Sequence, residues 1–141
     1  MTWYNKYLNL PHKHLGNNPN TGIDCVNLCI LVLKNEKGLD IPFHSFNFCD
    51  IVDNTWYLKT NEQLIENAIK ADSRWQTVSA PKPFDVVTMS IGSTNVTNHC
   101  AIFVESNKCL HIMIDRPSWV SPFKGYYKQY STGIYRWSIT N

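Results

Sequence analysis

The spacing of apolar residues divides the chain into a helical first half and a strand-rich second half. A largely apolar stretch at 26–33 follows Asp24, a good N-cap, and predicts a helix over 24–37. Gly38 is expected to end this helix in the left-handed cap position. A second helix is predicted over 61–72, because apolar residues recur there at helical spacing on one face.

The second half of the chain carries the apolar and polar alternation that is typical of strands. Strands are predicted over 85–91, 99–105, 109–114 and 134–139. Residues 106–108, Ser-Asn-Lys, predict the turn of a hairpin between the second and third of these strands. Residues 1–23 are predicted to be irregular, and within 43–60 the pattern indicates only a helical turn around 48–58. Helices followed by an antiparallel sheet predict an α+β fold, with 1–141 as one domain.

Composition excludes several classes of protein. A net charge of +2 is too small to indicate nucleic acid or an anionic membrane as a partner. No apolar stretch approaches the roughly 20 residues of a membrane-spanning helix, so membrane insertion is not expected. The first residues hold no apolar signal core, so we expect synthesis in the cytoplasm without a signal peptide. The odd number of cysteines, five, lacks the spacing of a disulfide framework and indicates a reducing compartment.

One cysteine lies where a thiolate would be stabilised. Cys25 follows Gly22 and Asp24 at the first turn of the predicted helix. Unpaired N–H groups at a helix N-terminus carry partial positive charge and favour an ionised thiol. The remaining cysteines are expected to be buried core residues, which is the usual role of a free cysteine; they are Cys29, Cys49, Cys100 and Cys109.

Two histidines lie on the predicted hairpin, downstream of this cysteine. His99 opens one strand, and His111 lies on the same face of the next strand. A rigid sheet would hold His99 as the base that a thiol nucleophile requires, although a structural role is an alternative. A symmetric turn pairs Phe103 with His111, which leaves His111 about 13 Å along the strand from the position opposite His99. Asp115 is then across from His99, so either His111 or Asp115 is expected to orient it.

A metal site is another possible use of these residue types. The cysteines and histidines are numerous enough for a tetrahedral zinc site. However, the Cys25-x3-Cys29 spacing is not that of a zinc knuckle, and Cys100 and Cys109 should point to opposite faces of the hairpin. Phosphate-binding loops, dinucleotide turns and serine-centred elbows do not occur in the sequence. No metal or cofactor is therefore expected.

Together these motifs resemble the NlpC/P60 cysteine peptidases, in the version found in bacteriophage tail proteins. The resemblance covers nearly the whole chain. The matching segments are 10–16 (Leu-Pro-His-Lys-His-Leu-Gly), 22–25 (Gly-Ile-Asp-Cys), 81–87 (Pro-Lys-Pro-Phe-Asp-Val-Val), 99–104 (His-Cys-Ala-Ile-Phe-Val), His111 and 135–136 (Tyr-Arg). The Asp-Cys motif with both histidines is the specific part of the match.

The resemblance implies a papain-like fold, with N-terminal helices packed on a C-terminal sheet, and cleavage of a peptide or isopeptide bond in bacterial peptidoglycan stem peptides. Cys25 would attack the carbonyl, His99 would act as the base, and His111 would hold His99 in the correct tautomer. The Cys25 backbone N–H and the His12 side chain would stabilise the oxyanion. Asp24 would bind the free amine of a stem peptide while also capping the helix.

The same resemblance implies a setting and partners. The chain would act in the virion, at the phage tail tip, during cell-wall penetration, alongside other tail tip proteins. Four aromatic residues are candidates for the walls of a substrate groove, with core packing as the alternative; they are Trp3, Tyr4, Trp56 and Trp75.

Three departures from the family pattern leave a second function open. Val26-Asn27 replaces the usual Ser-Gly or Trp-Gly, Phe84 replaces the glycine of Pro-Gly-Asp, and His12 stands where the family has a tyrosine. The alternative is a catalytically impaired assembly protein of the tail tip that keeps the fold. A third possibility is an acyltransferase or amidase on a related papain-like fold.

Overall fold

The computed structural model describes residues 2–42, 56–58, 61–92 and 95–138. Its helices are α1 (Cys25–Lys37), α2 (Leu64–Lys70) and α3 (Tyr126–Gln129). Its strands are β1 (Asn17–Asn18), β2 (Gly22–Ile23), β3 (Trp75–Thr77), β4 (Val86–Met89), β5 (His99–Val104), β6 (Lys108–Met113), β7 (Arg116–Pro122) and β8 (Ser131–Trp137). Short 3-10 helices occur at Trp3–Tyr7 and Trp56–Leu58. Within these ranges no helix has the length and apolar character that a membrane crossing demands.

Strands β3 to β8 form one six-stranded sheet in the order β3-β8-β4-β5-β6-β7. Every neighbouring pair in this sheet is antiparallel. β1 and β2 form a separate two-stranded antiparallel sheet that leads directly into α1. The predicted combination of helices with an antiparallel sheet is confirmed.

Local sequence determines both ends of α1. Asp24 is the N-cap, and its Oδ1 accepts a hydrogen bond from the Asn27 backbone N–H at 2.8 Å. Gly38 has a left-handed φ of 66°, and its N–H donates to the carbonyls of Leu33 and Lys34. Because both caps satisfy backbone groups that the helix leaves unpaired, the helix occupies the predicted range.

The central strands of the sheet are buried on both faces. One face packs against α1, and its buried residues on β5 and β6 are Cys100, Ile102, Val104, Leu110 and Ile112. The opposite face forms a smaller cluster that includes Ala101, Phe103 and Cys109. Cys100 and Cys109 therefore lie on opposite faces, as the strand alternation predicts. This double burial makes β5 a rigid support for His99 and Cys100.

The β5–β6 hairpin has a different register from the predicted one. The prediction paired Phe103 with His111, whereas the structure pairs Phe103 with Cys109. The turn occupies 105–107, one residue earlier than predicted, which moves the pairing by two positions. A shift of two keeps each side chain on its predicted face but brings His111 towards His99. The predicted separation of about 13 Å was therefore wrong.

Other elements differ from the prediction in extent or were not predicted. α2 is shorter than 61–72, and the last strand begins at Ser131 instead of 134. β3, β7 and α3 were not predicted. β7 reads Arg-Pro-Ser-Trp-Val-Ser-Pro, and proline is tolerated in it because the strand lies at the end of the sheet. Of the turn predicted around 48–58, only Trp56–Leu58 fall within the described residues.

The N-terminal segment, residues 8–14, connects the edge of the sheet to the start of α1. The Asn9 N–H donates to the Ser118 carbonyl at 2.9 Å, and the Ser118 N–H donates to the Leu10 carbonyl at 3.1 Å. Further along, the Ile23 N–H donates to the Pro11 carbonyl at 2.9 Å. This part of the chain, predicted to be irregular, thus covers the outer edge of β7 and carries His12 to the α1 N-terminus.

Candidate active site

A cleft opens at the N-terminal end of α1, beside the start of β5 and the end of β6. Its lining includes His12, His14, Asp24, Cys25, Trp56, Tyr57 and His99. Four of the five predicted site residues therefore line one cleft, and the fifth, His111, is buried behind His99. Of the predicted groove walls, Trp56 both lines the cleft and packs against the core. Trp3, Tyr4 and Trp75 belong to or pack against the core and do not line the cleft.

A tight turn from strand to helix presents Cys25. Gly22 has a φ of +147°, and a Cβ there would lie 2.3 Å from the Lys13 Cβ, so only glycine fits. Asp24 then caps α1 and makes Cys25 its first residue. The Cys25 N–H has no partner within the helix, and the Cys25 thiol lies half-buried at the positive end of the helix dipole.

The surroundings of Cys25 favour its thiolate. A hydrogen bond with the Cys100 thiol is the largest cause that lowers the Cys25 pKa well below its usual value; burial opposes it, and the hydrogen bond and charge of His99 add to it. The same contact with Cys25, together with burial, raises the pKa of Cys100 well above its usual value. Cys100 therefore stays protonated and donates to the Cys25 sulfur.

His99 and His111 are joined directly. His99 Nε2 lies 2.7 Å from His111 Nδ1, and both side chains are buried. On its other side, His111 Nε2 lies 2.8 Å from Ser121 Oγ. Since His99 Nε2 is bonded to His111, its Nδ1 remains for the contact with Cys25. Asp115, the alternative partner of His99 in the sequence, is exposed.

Aromatic rings hold His111 in place. Its ring stacks on Trp119 with centroids 4.0 Å apart, and the Tyr127 ring meets it edge-on at 4.9 Å. Arg116 lies over the outer face of Trp119, 3.7 Å from the ring centroid. Burial is the main cause that lowers the His111 pKa to about 2, followed by repulsion from His99 and Arg116. His111 is therefore a neutral imidazole with one N–H near neutral pH.

His12 lies in the cleft beside the start of α1. It forms an isolated parallel bridge with Ile23, two residues before Cys25. Burial lowers the His12 pKa, and the nearby Cys25 raises it by a smaller amount. A neutral imidazole carries an N–H donor, which is the chemistry expected of an oxyanion partner.

Asp24 has an observed structural role. It is 7% exposed, lines the cleft and caps α1 through the Asn27 N–H. Its backbone N–H donates to the Gly16 carbonyl, which also accepts the Asn27 side-chain amide at 2.9 Å. The departure at Asn27 therefore supports the turn that precedes Cys25. Binding of an amine by Asp24 stays a prediction.

Three residues of the site were not predicted from the sequence. Cys100 and Ser121 contact Cys25 and His111, respectively. His14 lines the cleft, and its Nε2 is buried with no hydrogen-bond partner among the described residues. The alternation of His12 and His14 after Pro11 was a signal for His14, because alternate residues of an extended segment share a side.

Three of the other four cysteines lie within the described residues. Cys29, Cys100 and Cys109 are buried, as predicted, and burial raises the pKa of Cys109 to about 12. Cys49 lies outside the described residues. In the described ranges, no three His, Cys, Asp or Glu side chains are arranged to hold a metal ion.

Comparisons with known proteins bear on the family and on the fold. The NlpC/P60 family model matches residues 9–136. No curated protein sequence gives a significant match. Among solved structures, the NlpC/p60 domain of the peptidoglycan hydrolase SagA has a TM-score of 0.56 at 20% identity; the alignment covers 92% of this chain and 88% of that domain.

Two longer proteins contain a similar fold. A lipoprotein-like NLP/P60 family protein from Staphylococcus aureus subsp. aureus Mu50 has a TM-score of 0.60 at 19% identity, covering 96% of this chain and 39% of its own. An NlpC/P60 family protein from Bacillus cereus ATCC 10987 has a TM-score of 0.61 at 16% identity, covering 94% and 37%. The chain thus spans under two fifths of each of these proteins, and the likeness concerns the fold.

Proposed function

The chain belongs to the NlpC/P60 family of cysteine peptidases and peptidoglycan hydrolases, and from this premise we propose that it hydrolyses a peptide or isopeptide bond in peptidoglycan stem peptides. The observation that supports this most strongly is the line of side chains Cys25, His99, His111 and Ser121. Hydrogen bonds join His99 to His111 and His111 to Ser121, and the hydrogen bond and charge of His99 lower the pKa of Cys25. The line begins in an open cleft.

In the acylation step, the Cys25 thiolate attacks the carbonyl carbon of the scissile bond, and the carbonyl electrons move onto oxygen. The resulting oxyanion accepts hydrogen bonds from the Cys25 N–H and the His12 imidazole, each worth about 3 kcal/mol in transition-state stabilisation. His99 Nδ1–H then protonates the leaving nitrogen as the C–N bond breaks. A thioester on Cys25 and a free amine result.

In the deacylation step, His99 Nδ1 removes a proton from water, and the hydroxide attacks the thioester. Collapse of this second intermediate breaks the C–S bond and restores the Cys25 thiolate beside protonated His99. The product leaves as a carboxylic acid, which gives its remaining proton to solvent. His111 accepts the His99 Nε2–H throughout and keeps Nδ1 directed at Cys25. Asp24, at the cleft wall, supplies a negative charge for a substrate amine.

The direct test uses purified cell-wall sacculi and follows the release of stem-peptide fragments by mass spectrometry. The expected result is fragment release by the native chain and a loss of at least about a thousandfold in the Cys25→Ala variant. Cys29→Ala is a matched control, because Cys29 lies one turn further along the same helix and is buried away from the cleft. Fragment release that survives Cys25→Ala would reject the mechanism.

We propose the phage tail as the setting of this activity, with tail tip proteins as partners. The Tyr135-Arg136 pair near the end of the chain resembles the closing strand of the phage versions of the family and supports this setting. It predicts that the protein is found in purified virions. Its absence from virions of the phage that encodes it would reject the setting without affecting the hydrolase proposal.

The alternative is an assembly protein of the tail tip that has lost its chemistry. The replacements at Val26, Asn27 and His12 favour this alternative, whereas the stabilised Cys25 thiolate favours the enzyme. An assembly protein would form a stoichiometric complex with tail proteins while its Cys25 thiol remained unreactive. Rapid alkylation of Cys25 near neutral pH, located by peptide mass mapping, would count against it.

A further inference from the structure

His111 has a hydrogen-bond partner at each ring nitrogen, and only one of these partners belongs to the line of side chains that the sequence predicts. Nδ1 faces His99 Nε2 at 2.7 Å on β5, and Nε2 faces Ser121 Oγ at 2.8 Å on β7. His111 is 0% exposed and Ser121 is 6% exposed, so bulk water does not replace either partner. Ser121 reaches His111 diagonally, because the residue paired with His111 on β7 is Trp119.

The direction of these bonds determines whether His99 can act as a base. If His111 carries its proton on Nε2, Ser121 Oγ accepts it, and Nδ1 accepts the His99 Nε2–H. His99 Nδ1 is then able to take the thiol proton of Cys25. If His111 instead carries its proton on Nδ1, it donates to His99 Nε2, and the remaining proton of neutral His99 lies on Nδ1, where it blocks the uptake of another.

The surroundings of His111 make this choice decisive. The titratable and charged groups near its ring are His99 on β5, Arg116 on β7 and Tyr127 on α3. Burial and the nearby positive groups keep His111 neutral, so it holds a single N–H and cannot donate at both nitrogens. When His99 is protonated, its Nε2–H donates to His111 Nδ1. The single proton of His111 must then lie on Nε2, where it needs an acceptor.

We propose that Ser121 is a positioning residue that accepts the His111 Nε2–H and so fixes the tautomer in which His99 serves as the base for Cys25. This inference rests on the proposed function for its catalytic consequence, but the tautomer itself is independent of any substrate. Removal of the Ser121 hydroxyl leaves a buried N–H without an acceptor. The tautomer with the proton on His111 Nδ1 is then favoured, because that N–H can donate to His99 Nε2. In this tautomer His99 Nε2 must be an acceptor, so the protonated form of His99 is disfavoured.

The experiment compares Ser121→Thr with Ser121→Val, two side chains of the same shape that differ in the hydroxyl. The Val variant should lower kcat/KM by about 10- to 100-fold with KM changed less than about twofold, and the Thr variant should stay within about threefold of the native chain. In the Val variant the alkylation of Cys25 at about pH 6 should slow by a similar factor, because the thiolate loses its charged partner.

Nitrogen-15 NMR of the imidazole rings gives a readout that a general loss of packing does not change. The native and Thr proteins should show His111 protonated at Nε2, and the Val protein should show protonation at Nδ1. Ser118→Ala is the matched control on the same strand, because the Ser118 hydroxyl bonds to the Tyr7 carbonyl and the Leu10 N–H. It should lower stability without changing the His111 tautomer.

The outcomes separate this inference from the proposed function. A Val variant that keeps the Nε2–H form and the native alkylation rate would overturn the role of Ser121. If the native chain fails to cleave sacculi while the tautomer and alkylation rate change as expected, the hydrolase proposal fails and the role of Ser121 stands.

Discussion

The pKa values of two neighbouring thiols, Cys25 and Cys100, shift in opposite directions. The Cys100 hydrogen bond lowers the pKa of Cys25, and the same contact raises the pKa of Cys100. Two adjacent thiolates would repel each other, so the pair holds one negative charge, and the helix N-terminus and His99 favour placing it on Cys25. Cys100 thus combines a core position with a contact to the proposed nucleophile.

Replacement of Cys100 tests this division of charge. Cys100→Ala removes a hydrogen-bond donor to the Cys25 thiolate, so the Cys25 pKa should rise and its alkylation by iodoacetamide at about pH 6 should slow by about tenfold. Cys100→Ser keeps a donor and should remain near the native rate. Equal rates in the native, Ala and Ser proteins would show that Cys100 does not stabilise the thiolate.

Phe84 illustrates a departure from the family that costs backbone strain. It has a left-handed φ of 77°, a conformation in which glycine is the favoured residue. In this chain the Phe84 ring stacks on Trp3 with centroids 4.6 Å apart, and Lys37 lies over it at 5.0 Å. The aromatic contacts offset part of the cost of this backbone conformation.

At the scale of elements, two segments that carry the family resemblance meet on adjacent strands. The 81–87 motif leads into β4 and includes its first two residues, and β4 pairs with β8, which holds the Tyr-Arg pair. Arg136 binds the Asp85 carboxylate with both Nε and a terminal nitrogen, at 2.8 and 2.7 Å. Tyr135 donates to Glu66 on α2. These contacts join α2, β4 and β8 beside the strand that carries His99.

Arg136→Met should destabilise the fold, because it leaves the Asp85 carboxylate, whose side chain is 2% exposed, without its cation. The expected loss is about 2–3 kcal/mol in the free energy of unfolding, less than for a fully buried pair because the Arg136 side chain is 38% exposed. Urea denaturation followed by circular dichroism measures it.

Arg74→Met is the matched control for this prediction. Arg74 binds the Asp72 carboxylate through Nε and a terminal nitrogen, at 2.9 and 2.7 Å. The Arg74 side chain is 50% exposed and the Asp72 side chain is 23% exposed. Its replacement should change stability little, because water solvates both partners. Similar losses for the two variants would contradict the argument from burial.

At the scale of the whole molecule, the buried neutral His111 makes stability depend on pH. Its pKa falls from 6.5 to about 2 in the folded state, so the unfolded chain binds a proton at this residue that the folded chain does not. The contribution is fully present above pH 6.5 and is lost progressively as the pH falls towards 2. Acid therefore favours unfolding through a residue of the proposed site.

His111→Gln removes this contribution. Between about pH 6 and pH 4.5 the native chain should lose about 2 kcal/mol more in unfolding free energy than the variant, at about 1.4 kcal/mol per pH unit. Urea denaturation at several pH values measures both curves, and the comparison cancels the carboxylates that the two proteins share. Parallel curves would show that His111 takes up a proton equally in both states.

Prediction from sequence succeeded where the determinants were local. Asp24 and Gly38 cap α1 with their own side chain and backbone, so the helix could be located from nearby residues. The hairpin register was wrong because the turn lies at 105–107, with Ser106 and Asn107 at left-handed φ values of 59° and 57°, and the residue pattern does not distinguish this position from 106–108. β7 is a strand because of its partner β6, and its two prolines hide this from a pattern search.

For the candidate site, the residue types could be predicted, but the contacts between them could not. Cys25 and His12 are brought together by β2 and the N-terminal segment, whose pairing is not local in sequence. The contact between His99 and His111 depends on the hairpin register, and that between His111 and Ser121 on a diagonal across strands. Such contacts depend on how separate strands align, which residue patterns determine only weakly.

β7 supports the proposed chemistry from two directions. Through Ser118 it anchors the N-terminal segment that leads to His12, and through Ser121 it backs the ring of His111. The positions of the oxyanion donor, His12, and of His111 therefore both depend on this one edge strand. Local unfolding of β7 would remove oxyanion stabilisation and the support of His111 together, while the helices and the remaining strands stayed folded.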